Sequence, residues 1–219
     1  MGRIRFFSLL IVVLGNLPAA FSAAVSCDAG QPATPADFKR VQARFSGDTL
    51  GFSLPSRFGQ VSDERLSAVS NANSQLKAWS SPATPAGDPP ETIEIRSLKS
   101  PTDPAMQTSV SRLAAIHAKM VMASCPDTFS FGTLPALMRD TPGDETYAVV
   151  LACGNVRISK PRRSDISVSY FLRGASDFYV VTWSVLGDPR DKAFDINRND
   201  WQQRITSLFP MTVCPANFN

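Results

Sequence analysis

The chain has 219 residues, 43% of them hydrophobic and 19% charged, which is the composition of an ordinary globular protein and excludes a disordered or collagen-like one. Its formal net charge is +3, with the two signs interspersed, so no extended basic footprint suggests nucleic acid or anionic lipid. A single histidine excludes a multi-histidine zinc site and any two-histidine acid–base scheme within one chain.

The amino-terminal stretch has basic Arg3 and Arg5, an apolar run from Phe6 to Leu14, a break at Gly15, Asn16 and Pro18, and then small residues, the three-part layout of a secretory signal peptide. The apolar run is about half of the roughly 20 residues a membrane-spanning helix needs. Ser22 and Ala24 supply the small residues a signal peptidase reads, which places the signal at residues 1–24 and the exported chain at 25–219. Arg3 and Arg5 leave with the signal, so 20 basic residues face 19 acidic ones and the exported part is nearly neutral. The expectation is one domain in the periplasm or outside the cell, with no further membrane span and no nucleic-acid partner.

Cys27, Cys125, Cys153 and Cys214 all fall in the exported part, and an even count in an oxidising compartment reads as two disulfides. Their spacings are too wide for a redox C-x-x-C pair or a zinc knuckle. Three connectivities are open to four cysteines, and the favoured one joins Cys125 to Cys153 and Cys27 to Cys214. A competing reading makes Cys27 a lipid anchor, because Ala24-Val25-Ser26-Cys27 loosely matches a lipobox; it would leave one cysteine without a mate.

Along the exported chain, Thr34-Pro35 with Asp37 opens a short helix to about Arg44, with Phe38, Val41 and Phe45 on one side. Thr49–Pro55 reads as a strand, and Ser62-Asp63 caps a second helix to about Trp79 through Leu66, Val69, Ala72, Leu76 and Trp79. Ser80–Pro90 is a Pro/Gly-rich surface loop, and Glu91–Leu98 alternates as a half-buried strand. Asp103-Pro104 starts a long helix to about Ser124 whose stripe of Met106, Val110, Leu113, His117, Met120 and Val121 reads as core. Short strands follow near Thr128–Phe131 and Leu137–Arg139. A meander of Thr146–Ser159, Asp165–Arg173 and Phe178–Leu186 comes next, with one greasy face and one mixed face carrying Ser167, Ser169, Thr182 and Ser184. Asn199-Asp200 caps a closing helix with Trp201, Ile205 and Leu208 on one face, stopped by Pro210.

This is an α+β domain, an antiparallel β-sheet flanked by helices and stabilised by disulfides. The element order, with Gly51, Phe52, Leu54 and Pro55 in its first strand, resembles the PsbP-like α+β fold over roughly residues 47–212. That resemblance implies a non-enzymatic partner-binding or assembly module and transfers no site residue. The meander also resembles that of uncharacterised exported bacterial proteins.

His117 is the one residue through which a Ser–His or Cys–His arrangement would have to run, yet its place on the apolar stripe suits a core histidine held by hydrogen bonding. A carboxylate pair is the other route to hydrolysis, and Asp140, Asp144 and Glu145 sit in a turn that suits solvated residues better. Lys160, Arg162 and Arg163 cluster on one hairpin tip stiffened by Pro161, a surface able to dock an acidic partner, a phosphate or a membrane headgroup, though the pattern also suits a soluble hairpin end protected against edge pairing. No phosphate-binding glycine loop is present and no asparagine is followed by an acceptor sequon, so no cofactor, metal or glycan is expected. The leading expectation is a non-catalytic module that binds another envelope protein or component; the alternative is a secreted hydrolase using His117 or a carboxylate pair.

Overall fold

The computed structural model describes residues 36–71, 73–82, 90–101, 108–125, 129–141, 144–154, 164–175, 177–187 and 198–215. In chain order the strands and helices are β1 (Phe38–Arg44), β2 (Asp48–Pro55), β3 (Gly59–Gln60), α1 (Asp63–Ser67), β4 (Ser74–Ser80), β5 (Glu91–Lys99), α2 (Val110–Ser124), β6 (Phe129–Thr133), β7 (Arg139–Thr141), β8 (Asp144–Cys153), β9 (Ser164–Arg173), β10 (Asp177–Gly187), α3 (Arg198–Ser207) and β11 (Thr212–Pro215). A 3-10 turn at Pro135–Leu137 separates β6 from β7.

The alternating sequences of β8, β9 and β10 pair as the expected antiparallel meander, and β10 then pairs with β5. The large sheet runs β3-β4-β5-β10-β9-β8-β6, with β7 added to β8; a second sheet runs β1-β2-β11. Because side chains on a strand point alternately to opposite faces, Ile93 and Ile95 of β5, Val168 of β9 and Val181 and Trp183 of β10 fall together on one face. That face is sealed by Leu50, Phe52 and Leu54 of the small sheet and by Trp201, Ile205 and Leu208 around α3. Aromatic contacts tie the layers, Phe52 against Trp79 at 5.1 Å and Phe58 against Trp183 at 5.4 Å. On the opposite face α2 lays Val110 and Ala114 over Val149, Leu151, Phe171, Phe178 and Val180.

Two further devices hold the layers. Glu91 accepts hydrogen bonds from Arg57 at 2.7 Å, from Trp183 Nε1 at 3.2 Å and from Arg204 of α3. Burial alone would raise the Glu91 carboxyl, but the bonds from Arg204 and Arg57 win and hold it below its ordinary value. Arg40 crosses β2 to donate to Pro210 O at 2.5 Å and Thr212 Oγ1 at 3.1 Å. Gly51 leaves the room for that crossing, since a Cβ there would stand 3.0 Å from Arg40 Nη2 and 2.8 Å from Thr212 Oγ1.

The α+β expectation, one sheet flanked by helices, is corrected: the described residues are mostly β, two antiparallel sheets with three helices. Two expected helices account for the difference. Residues 38–44 form β1, paired along its whole length with β2, and the apolar positions Val41, Ala43 and Phe45 point inward at every second residue. The helix expected from Asp63 to Trp79 stops at Ser67, where Ser70, Asn71 and Asn73 take over the backbone hydrogen bonding. The chain then re-enters the sheet as β4, burying Leu76 and Ala78 on one side and Trp79 on the other. The long helix begins at Val110 with Ser109 as its cap, not at Asp103-Pro104; residues 102–107 lie outside the described residues. The strand expected at Leu137–Arg139 is the end of the 3-10 turn followed by β7, and β11 was not foreseen at all.

Cys125 and Cys153 are bonded, joining the end of α2 to the end of β8 as expected. Cys214 is disulfide-bonded too; Cys27, its expected mate and the alternative lipid-anchor position, lies outside the described residues, as do the signal segment 1–24 and most of the Ser80–Pro90 loop. No helix among the described residues is long and apolar enough to cross a membrane.

Candidate functional site

Helix α2 covers only part of its side of the large sheet. Its small residues, Ala114 and Ala118, bring it close over Val149 and Phe171, while the polar half of the mixed face runs on beyond the helix toward Asp165 and Leu186. The result is a cleft of about 690 Å³ between α2 and strands β5, β10 and β9. Strand register sets its floor: Glu94, Thr182 and Ser169 lie in one row across β5, β10 and β9, with Thr92, Ser184 and Ser167 in the next. Asp165 pairs with Leu186 further along the same face. Arg96 lies one row to the other side, its guanidinium donating to Ser74 Oγ at 3.2 Å and reaching Val69 O at 3.5 Å.

The rim is apolar and open to solvent. Ile116 and Met120, one helical turn apart on α2, are 46% and 68% exposed, and Leu186 of β10 faces them at 36%. Met120 was expected in the core. It is outside because α2 seats on Val110 and Ala114, which rotates the Met120 side of the stripe off the sheet. A second, smaller hollow of about 270 Å³ lies on the other flank of α2, where Met122 and Phe131 are exposed.

His117 lies half-buried above the first polar row. Its Nε2 is 3.3 Å from Ser169 Oγ, which is 3.0 Å from Thr182 Oγ1, and its ring meets Phe171 edge-on at 5.5 Å. Burial holds the imidazole below its ordinary value, and the Arg96 charge pushes the same way. The pair looks like a nucleophile and a base, but Ser169 is fully buried under the helix, and a carboxylate orienting the imidazole would push its value up, not down. His117 is thus a half-buried histidine on the cleft wall whose Nε2 meets a hydroxyl.

The carboxylates in this cleft are Glu94 and Asp165, which sequence reasoning passed over. Burial raises the Glu94 carboxyl, with Arg96 pulling it partly back. Asp165 is pushed up to about 6, first by burial and then by the charge of Glu94, and its Oδ1 is buried without a hydrogen-bond partner. The sequence signal was there in both cases: Glu94 alternates with Ile93 and Ile95, and Asp165 shares the period-2 phase of Ser167 and Ser169. The carboxylates singled out instead, Asp140, Asp144 and Glu145, lie on the β7–β8 hairpin. Asp144 pairs with Arg139 at 2.9 Å and Glu145 lies 3.8 Å from Arg173 of β9, both as surface ion pairs. The basic cluster Lys160, Arg162 and Arg163 lies outside the described residues. Among the described residues no group of three or more His, Cys, Asp or Glu is placed to hold a metal ion.

No family model matches the chain, and no curated protein is found similar to it. Among solved structures, LpqN, a protein involved in cell envelope biogenesis of Mycobacterium tuberculosis, is similar at 13% identity and a TM-score of 0.41, over 85% of this chain and 100% of that one. A likeness at that level carries no argument about fold or function for this chain, and it does not bear out the resemblance to the PsbP-like fold.

Proposed function

We propose that the protein is an exported, non-catalytic module that holds another envelope component in the cleft between α2 and the polar face of the large sheet. The observation that carries this reading is the cleft itself, about 690 Å³, with hydrogen-bonding side chains on its floor and exposed apolar side chains on its rim. Export rests on the signal-peptide layout of residues 1–24 and on a disulfide between Cys125 and Cys153, a bond that persists in oxidising compartments. The absence of catalysis rests on Ser169, the hydroxyl bonded to His117, being closed off from substrate.

The placement of Glu94 and Asp165 in one open cleft favours a second reading, a hydrolase using these two carboxylates as acid and base. One experiment separates the readings. The protein is incubated with an envelope extract of its host, and the species it retains are identified by native mass spectrometry, with a cleft-filling Ser184→Phe variant in parallel. A binding module returns a species of unchanged mass that Ser184→Phe, melting normally, does not retain. Equal retention by that variant overturns the cleft as the site. Appearance of a product whose formation stops in Asp165→Asn overturns the non-catalytic reading in favour of the hydrolase.

A further inference from the structure

Resting on the proposed role of this cleft, we infer that its ligand is an organic cation, a primary ammonium carried on an apolar chain, with the charge drawn into the cleft by Glu94 and Asp165 and the chain lying along Ile116, Met120 and Leu186.

Charge complementarity selects this class. Two carboxylates, Glu94 on β5 and Asp165 on β9, face into one cleft, and each is partly stripped of water by burial. Arg96, the cation that lines the same cleft among the described residues, is turned to Ser74 Oγ and Val69 O, and no ion pair joins it to either carboxylate. Strand β10, which lies between them, contributes Val180, Thr182, Ser184 and Leu186 to the cleft, none of them charged, and α2 contributes His117, whose imidazole is biased to the neutral form. Among the described residues the cleft therefore carries more negative than positive charge. An ammonium supplies the missing positive charge, and a charge-assisted bond in a partly dry site is stronger than a neutral one. An anionic head would meet two carboxylates, and a neutral alcohol would leave their repulsion in place. The apolar requirement comes from the rim, where Ile116 and Met120 present adaptable aliphatic and thioether surface on the same face of α2.

The ligand class makes binding pH-dependent with a definite sign. Lowering the pH protonates Asp165 at about 6 and charges His117 somewhere below its ordinary 6.5, and both changes disfavour a cation. Glu94 loses its charge in the same direction, and Arg96 stays charged throughout.

The test is titration of the whole protein with octylammonium, octanol and octanoate, followed by backbone amide shifts at Asp165, Thr182 and Ser184 in low salt at pH 7.5. Octylammonium should saturate the cleft at least tenfold more tightly than either of the others, and lose at least fivefold at pH 5. Asp165→Asn and, independently, Glu94→Gln should each weaken it about tenfold, with thermal melting recorded for both so that a folding defect in one leaves the other decisive. If octanol or octanoate binds the same residues as tightly, the cationic assignment is overturned while the cleft remains a binding site. If none of the three shifts these amides, the assignment is again overturned, and retention by wild type against Ser184→Phe decides separately whether the cleft binds anything.

Discussion

Asp48 carries a carboxylate into a place where no solvent reaches it, and the fold meets the cost locally. Tyr179, itself fully buried on the inner face of β10, donates its hydroxyl to Asp48 Oδ2 at 3.0 Å, and Gly174 closes over both. Burial, followed by the Asp48 charge, pushes the Tyr179 phenol well above its ordinary value, so it stays a donor at any working pH. Gly174 has no room for a side chain: a Cβ there would stand 2.6 Å from Tyr179 Cε2 and 2.7 Å from Asp48 Oδ2. Tyr179→Phe is expected to cost about 1–3 kcal/mol by leaving a buried charged oxygen short of a donor. Gly174→Ala is expected to cost a similar amount, about 1–3 kcal/mol, by forcing the ring or the carboxylate aside. Urea denaturation midpoints check both, and the double variant should lose less than the sum because the two changes disturb one contact set. A Tyr179→Phe variant as stable as wild type would show that the bond contributes nothing net.

At the scale of elements, α2 decides whether the cleft exists, and the Cys125–Cys153 bond fastens its end to β8 across 28 residues of sequence. Replacing both cysteines by serine is expected to cost about 3–4 kcal/mol from loop-closure entropy alone. Hydrogen exchange should then show α2 amides opening before those of β9 and β10; uniform loss of protection across the sheet would refute that order. This pairing was the favoured one of three that the sequence left open, whereas β2, β5, the three-strand meander and α3 were legible because their patterning matches strand or helix over most of their length. Elements that failed were those where two periods fit the same residues. Phe38, Val41 and Phe45 satisfy a helix, but Val41, Ala43 and Phe45 satisfy a strand, and pairing with β2 chooses the strand. Leu76 and Trp79 are three apart as on a helix, yet β4 has sheet or helix on both sides and needs apolar residues on both. The site suffered for a different reason. The mixed face of the meander was correctly seen as polar, but which acids share a cleft depends on register across β5, β10 and β9, and strand order is a long-range property that local pattern does not encode.

For the molecule as a whole, these placements make a pH–stability profile with opposing slopes. Asp165 titrates near 6 in the folded chain against about 3.8 unfolded, so the folded state holds the extra proton between those values. Its contribution therefore falls as pH rises through that window, by about 2–3 kcal/mol in total. His117 has the opposite sign. Its folded value lies below the ordinary 6.5, so the unfolded chain takes up the proton first and stability is lost as pH falls below 6.5. Glu91, held low by Arg204 and Arg57, adds a loss that begins only as pH falls through about 4.5. Where the two windows overlap the Asp165 and His117 terms have opposite signs, so the wild-type profile should be flatter there than that of either single variant. Asp165→Asn should raise stability at pH 7.5 and uncover the histidine slope, with stability declining as pH falls below 6.5. His117→Gln should uncover the aspartate slope, with stability, relative to its own value at pH 7.5, increasing as pH falls toward 5. Thermal or urea unfolding from pH 4 to 8 measures all three proteins. Parallel profiles for wild type and Asp165→Asn would mean that this carboxyl titrates in the folded state as it does in the unfolded one, and would remove the electrostatic reason for a cation to enter the cleft.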